Sequence, residues 1–401
     1  MATVVPLPQP RKTRCWITSF TEATDHLNSP RLFRKWAAIN ALSATLERKV
    51  FLEVQYRRLY ANLFTLLVAP PGIGKTTAID FARRLVGSLS HLHLSPAKVT
   101  KEKFIQLMAG AMKLDQDIDS MTHSSMACMI GELATFLIPG DIDMLVLLTD
   151  LYDCPEHWEY SLLSRNPTIF ENVYLTILGA ITPRMISQLF GAKSIGMGFT
   201  SRCIFIHSED RIRKAPFPKG AAPEFKMLEE DLSRVYTLRG EFLLATDAQA
   251  FVEDWQNADM PPIPNDSRFE EYLPRRFVHW MKLSMITSAG RRDSRLITLE
   301  DVEFTKNLLL EAEETMPMAL EFLGQNPMMD AIKRAHRWML VEFGTNGKQP
   351  IHEKFLRRKL LDGVSPNYLE ATVQSMLTSG SVVQVSGTYP DRYFVPVVTT
   401  D

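Results

Sequence analysis

Residues 62–76 read Asn62-Leu63-Phe64-Thr65-Leu66-Leu67-Val68-Ala69-Pro70-Pro71-Gly72-Ile73-Gly74-Lys75-Thr76. The run 62–68 predicts a buried strand, the glycines a tight loop, and a helix is expected to begin near Lys75. A strand that ends in such a loop and opens a helix points several backbone N–H groups at one spot. The helix N-terminus adds partial positive charge there, so an anionic phosphate fits. Gly72 and Gly74 supply the backbone angles and the close approach that a side chain would block. Lys75 is expected to reach the β- and γ-phosphates of ATP and Thr76 to hold Mg²⁺ through its hydroxyl, with Pro71, Ile73 and Thr77 completing the cradle. Ala69 stands at the first position of the pattern, where glycine is commoner.

Outward from this loop, the 401 residues divide into regions of different pattern. Residues 1–14 are rich in proline and basic side chains, lack the apolar segment of a secretory signal, and are expected to form a flexible tail. Residues 15–57 read as a helical N-terminal extension: Ser29-Pro30 starts a helix with Leu32, Phe33, Trp36, Ala37, Ile39 and Leu42 on one side. Residues 58–215 alternate short apolar runs with amphipathic stretches, the pattern of an α/β core with a mainly parallel sheet. Its further strands are expected at 126–130, 173–178 and 203–206, with a helix at 101–112 capped by Thr100. Residues 216–325 read as a helical lid, with Thr298 capping a helix whose first turn holds Glu300 and Asp301. Residues 326–401 read as a winged-helix-like module: helices, then strands at 381–385 and 392–397 joined by a turn at 387–391.

Composition excludes several classes. An apolar fraction of 45 % and a charged fraction of 23 % are those of an ordinary globular protein, and the net charge of −1 argues against uniform adhesion to nucleic acid or to an acidic membrane. Cys15, Cys128, Cys154 and Cys203 have neither disulfide-framework nor zinc spacing and read as reduced thiols in a cytoplasmic protein. No apolar run is long enough to cross a bilayer.

Hydrolysis of a bound triphosphate requires a group that orients water, usually an acid at the end of a neighbouring strand. Glu132 follows the run 126–130 and fits; it is expected to polarise the water and to help hold the metal. Gly131 stands where an Asp is usual. Asp150 is the rival acid, but 141–151 has helical spacing. Thr182 ends the apolar stretch that starts at Tyr174 and is expected either to sense the γ-phosphate or to cap the helix opened by Pro183. Arg202 precedes the last core strand, a position suited to the nucleotide of a neighbouring subunit; taken alone, a surface ion pair is the safer reading. Arg275 and Arg276 follow Pro274 at a helix start, where they are expected either to touch ATP from the lid or to face solvent.

The order of glycine loop, strand with Glu132, hairpin, strand ending at Thr182, the segment Phe-Thr-Ser-Arg-Cys-Ile-Phe-Ile-His-Ser-Glu-Asp at 199–210 and a helical lid resembles the AAA+ ATPases. Residues 199–210 resemble the arginine-finger strand of minichromosome-maintenance helicases. The stretch from Ser29 to Val50, followed by 59–76, resembles phage- and prophage-encoded ATPases of replicative or primase-associated helicase type. The resemblance covers about residues 16–310. It implies a ring, a hexamer, that pulls on single-stranded DNA and works beside a primase or another replication protein.

Within that resemblance, Leu162-Leu163 and Ile169-Phe170 flank Ser164-Arg165-Asn166-Pro167, which reads as a hairpin turn that enters the central pore. Arg165 and Asn166 are then expected to meet the DNA backbone. An ordinary exposed hairpin has the same pattern. Near the C-terminus Lys354, Arg357, Arg358 and Lys359 share one helix, but the next helix has no Lys or Arg, which suits a protein partner or phosphate contacts better than base readout. Expected functions are an ATP-driven DNA helicase or translocase, a helicase loader or origin-binding switch, and a remodeller of protein complexes.

Overall fold

A computed structural model describes residues 11–115, 121–162, 165–190, 198–215, 225–264, 269–321, 327–361, 364 and 366–397. The fold is α/β, and the chain divides into two compact units, Met1–Phe322 and Leu323–Asp401.

The larger unit opens with α1 (Trp16–Ala23), α2 (Arg31–Leu46), β1 (Val50–Val54), β2 (Arg57–Tyr60), β3 (Phe64–Val68), α3 (Lys75–Gly87), α4 (Lys101–Gly110) and β4 (Met112–Asp115). It continues with β5 (Met121–Ile130), α5 (Leu133–Phe136), α6 (Ile142–Tyr152), β6 (His157–Leu162), β7 (Arg165–Glu171), β8 (Val173–Ile181), α7 (Pro183–Leu189) and β9 (Cys203–His207). Then follow α8 (Phe225–Tyr236), β10 (Gly240–Leu244), α9 (Thr246–Asn257), α10 (Arg276–Arg291), β11 (Leu296–Ile297) and α11 (Leu299–Leu320). The smaller unit holds α12 (Pro327–Thr345), β12 (Ile351–His352), α13 (Glu353–Leu360), α14 (Leu369–Thr378), β13 (Val382–Ser386) and β14 (Tyr393–Pro396).

The central sheet has the order β4-β5-β8-β3-β9; β4 is antiparallel to β5 and every other pair is parallel. Strands β3, β8 and β9 are buried along their whole length, which is why they read as unbroken apolar runs. Val68 pairs with Ile181 and with His207, so β3, β8 and β9 end together, and Ile130 ends β5 at the same edge, beside Gly179.

Three expectations are corrected. Val50 to Tyr60 is a β-hairpin and not the end of a helical extension: Val50 and Leu52 face inward, Gln55 and Tyr56 turn with positive φ, and β1 joins β10 in a second sheet of order β11-β10-β1-β2. Arg11 to Arg14 do not hang free. The Lys12 and Thr13 amides and the Thr13 hydroxyl donate to Asp231, and Arg11 pairs with Asp293 at 2.7 Å. Met112 lies in β4, not in the helix capped by Thr100, because Ala111 ends that helix and the chain extends. Helix α10, within the span read as a helical lid, is largely buried. Nearly all of its side chains are buried, Trp280 and Met281 fully, and it packs on α1, α2 and α11.

The smaller unit pairs β14 with both β12 and β13 in an antiparallel sheet. Its core is closed by Met339, Leu356, Val373, Met376 and Phe394. Glu353 is fully buried there and takes Arg392 at 2.6 Å and Arg357 at 2.6 Å.

Candidate functional site

The loop between β3 and α3 turns on two glycines. Gly72 and Gly74 have φ of +84° and +83°, angles that other residues reach only with strain. A Cβ at Gly74 would stand 2.0 Å from the carbonyl oxygen of Asn28, so the turn between α1 and α2 seats directly on the loop. The Lys75 ammonium is 7 % exposed and donates to the carbonyls of Ala69 (2.6 Å) and Pro70 (2.9 Å). Burial pushes its pKa down, and the carboxylate of Glu132 pulls in the opposite direction. This is a cation held only by main-chain oxygens, ready to exchange them for an anion.

Thr76 faces outward from the first turn of α3, and its hydroxyl donates to the carbonyl of Gly131 at 2.9 Å. A Cβ at Gly131 would lie 2.8 Å from the Thr76 methyl. The absence of a side chain at 131 is therefore tied to the position of Thr76. Exposed Glu132 caps the short α5 with extended backbone and a free carboxylate end, and it is close enough to Lys75 to influence its charge. Strand β8 lies between β3 and β5, and the Ala69 amide donates to Ile181, which brings Thr182 beside the loop. Thr182 is the N-cap residue of α7, yet its side chain accepts no capping hydrogen bond. Lys75, Thr76, Glu132 and Thr182 thus share one edge of the sheet. These groups fit a phosphate-bound divalent cation: amides and an ammonium face the anion, and hydroxyl and carboxylate oxygens face the metal.

No family model and no curated protein matches the chain.

The other expected residues lie elsewhere. Arg202 precedes Cys203, which pairs with Phe64 at the start of β3, so it sits at the opposite end of the sheet from its own Lys75. It is bound to the carboxylate of Asp153 and donates to the Gly198 carbonyl at 3.0 Å. Arg275 approaches the same Asp153 at 3.5 Å. Asp150 lies in this region too: burial raises its pKa while Arg202 lowers it, and so it is not the acid beside the loop. Arg276 is corrected as a nucleotide ligand. It is 2 % exposed, bonds Glu313 at 2.8 Å through Nε and also donates to the Met260 carbonyl. The hairpin strands β6 and β7 pair as expected. Arg165 pairs with Leu162, which puts Arg165 and Asn166 in β7 and not in a turn; residues 163–164 lie outside the described residues.

Two neighbours of the loop escaped the sequence. Asn28 abuts Gly74 and accepts from the Lys214 amide at 2.6 Å, and the Ser208 amide donates to Val68 at 3.3 Å. Asn28 reaches the loop by close approach of its carbonyl and Ser208 by a main-chain hydrogen bond, both across long stretches of chain, which no local pattern announces. Among the described residues no cluster of three or more His, Cys, Asp or Glu side chains could hold a metal, and no helix is long and apolar enough to cross a membrane.

Proposed function

We propose that this chain is a Mg²⁺-dependent P-loop ATPase of the AAA+ type that assembles as a ring and moves along DNA as a helicase or translocase in phage-type genome replication. One observation carries the ATPase reading. Lys75, Thr76, Glu132 and Thr182 meet at one edge of the sheet, with the strand of Thr182 interposed between the strands that present Lys75 and Glu132.

Each side chain then has a task. Lys75 leaves the carbonyls of Ala69 and Pro70 for the phosphates, and the amides of residues 72–76 hold the remaining oxygens. Thr76 offers its hydroxyl oxygen to the cation, which when bound neutralises charge on the phosphates. Glu132 orients a water in line with the terminal phosphate and takes its proton. Thr182 holds that water or the phosphate by a hydrogen bond. Arg202 lies too far along the sheet to serve its own loop, which supports a role at the nucleotide of another copy and hence a ring.

The DNA reading rests on the order of elements and on the hairpin β6–β7 between β5 and β8. Three helices and a three-stranded antiparallel sheet support the winged-helix reading of the C-terminal unit. Its Arg357 is engaged by Glu353 and Glu370, and α14 carries Glu370 and no basic residue, which favours a protein partner over base readout.

The test combines nucleotide binding with strand displacement on a forked DNA. Lys75→Ala is expected to weaken ATP binding at least about 100-fold, and Glu132→Gln to bind ATP while losing turnover by about 100-fold or more. Normal ATP affinity in Lys75→Ala removes the site. DNA-stimulated hydrolysis without unwinding by the wild type replaces the motor with a loader.

A further inference from the structure

A second basic site lies at the other end of the larger unit. The turn of the β1–β2 hairpin, the end of α6 and the first turn of α10 enclose a cavity of about 580 Å³. Arg57, Arg58, Arg275 and Lys282 line it, with Asp153 as the one acid in its wall. Asp153 is already engaged by Arg202 and Arg275. Among the described residues Arg57, Arg58 and Lys282 have no carboxylate within ion-pair distance, and Asp153 acts on Lys282 only through space. The Arg58 guanidinium rests over the Phe51 ring at 4.4 Å. Lys282 is 4 % exposed; its ammonium donates to Asn62 Oδ1 at 2.7 Å and lies 4.0 Å from the centre of the Tyr152 ring.

This cavity is separate from the glycine loop. Asn62 precedes β3 and the glycine loop follows it. Five strand residues at about 3.3 Å each put the two sites roughly 17 Å apart. A buried lysine held by a neutral amide is costly in a cavity that takes no anion, and the exposed Arg57 and Arg58 extend the basic wall at its mouth. The N-terminus of α10, a helix of 16 residues, adds its dipole in the same sense. Guanidinium forks bind phosphate oxygens two at a time. The volume lies in the range of small-molecule sites, and Phe277 and Val278 give part of the wall an apolar face.

We infer that this cavity binds a phosphate-bearing small anion of nucleotide size, with Arg57, Arg58 and Lys282 holding the phosphate groups. The site is independent of the ATPase reading. Two sources share this chemistry, a free nucleotide and inorganic pyrophosphate, and two titrants separate them.

The experiment uses the full-length chain carrying Lys75→Ala, which silences the glycine loop, and calorimetric titration with pyrophosphate and with ADP. Saturable binding of either titrant at one per chain is expected, weakened at least tenfold when Arg57→Ala and Arg58→Ala are added. Both arginines are exposed, so the added changes leave the melting temperature close to that of the Lys75→Ala parent. Lys282→Met, if it folds, gives the same loss. No saturable binding in the Lys75→Ala chain overturns the proposal, as does binding that the double arginine change leaves intact. Failure of the ATPase reading has a different signature: wild type and Lys75→Ala then bind ATP equally.

Discussion

At the scale of single residues, Gly131 is the most informative position. An acid is usual there, and its absence is not a loss that Glu132 alone must cover. The Gly131 carbonyl receives the Thr76 hydroxyl proton, leaving the oxygen lone pairs of Thr76 free to face a cation. A methyl group at 131 would press on Thr76 at 2.8 Å and turn it away. Gly131→Ala is therefore expected to leave metal-free ATP binding unchanged but to reduce the enhancement by Mg²⁺ about tenfold, as losses around a metal ligand do. Titration of a fluorescent ATP analogue with and without Mg²⁺ measures this; an unchanged enhancement would show that the position tolerates a side chain. Gly74 is constrained differently. Its positive φ and the Asn28 carbonyl at 2.0 Å from a would-be Cβ make Gly74→Ala a lesion of the loop and of the α1–α2 turn together. A loss of about 1–3 kcal/mol in chemical unfolding is expected.

At the scale of elements, the sequence is informative where local rules decide and silent where packing does. The strand at 64–68 and the helix at Lys75 are legible because an unbroken apolar run and two glycines leave few alternatives. The cap at Thr298 is legible because a capping box is local, and the structure has it. The strand β1 and the burial of α10 are not. The run 50–54 is a strand between β2, its hairpin partner, and β10, 190 residues away. Arg276 shows why a charge at a helix start misleads: its partner Glu313 lies on α11, 37 residues on. Both are nearly excluded from solvent, and Tyr272 donates to the same carboxylate at 3.0 Å. Removing one member leaves a buried charge unpaired. Arg276→Ala is expected to cost about 3–5 kcal/mol of stability. Urea unfolding of the variant checks this. A stable protein with impaired ATP binding would restore Arg276 as a nucleotide ligand.

At the scale of the whole molecule, the sheet separates two ends with complementary chemistry. One end carries Lys75, Thr76 and Glu132; the other carries Arg202, held by Asp153. If copies join so that the Arg202 end of one meets the Lys75 end of the next, each active site is shared, and Arg202 must exchange Asp153 for a phosphate. Lys75→Ala and Arg202→Ala are then each nearly inactive, for different reasons. An equal mixture of the two is not. An interface that takes its loop from the Arg202→Ala chain and its arginine from the Lys75→Ala chain is intact, and random assembly makes about one interface in four of that kind. The mixture is expected to hydrolyse ATP at about a quarter of the wild-type rate, with single-variant controls near background. Activity of the mixture no greater than the mean of the two variants would place Arg202 in a structural ion pair with Asp153 and remove the shared site.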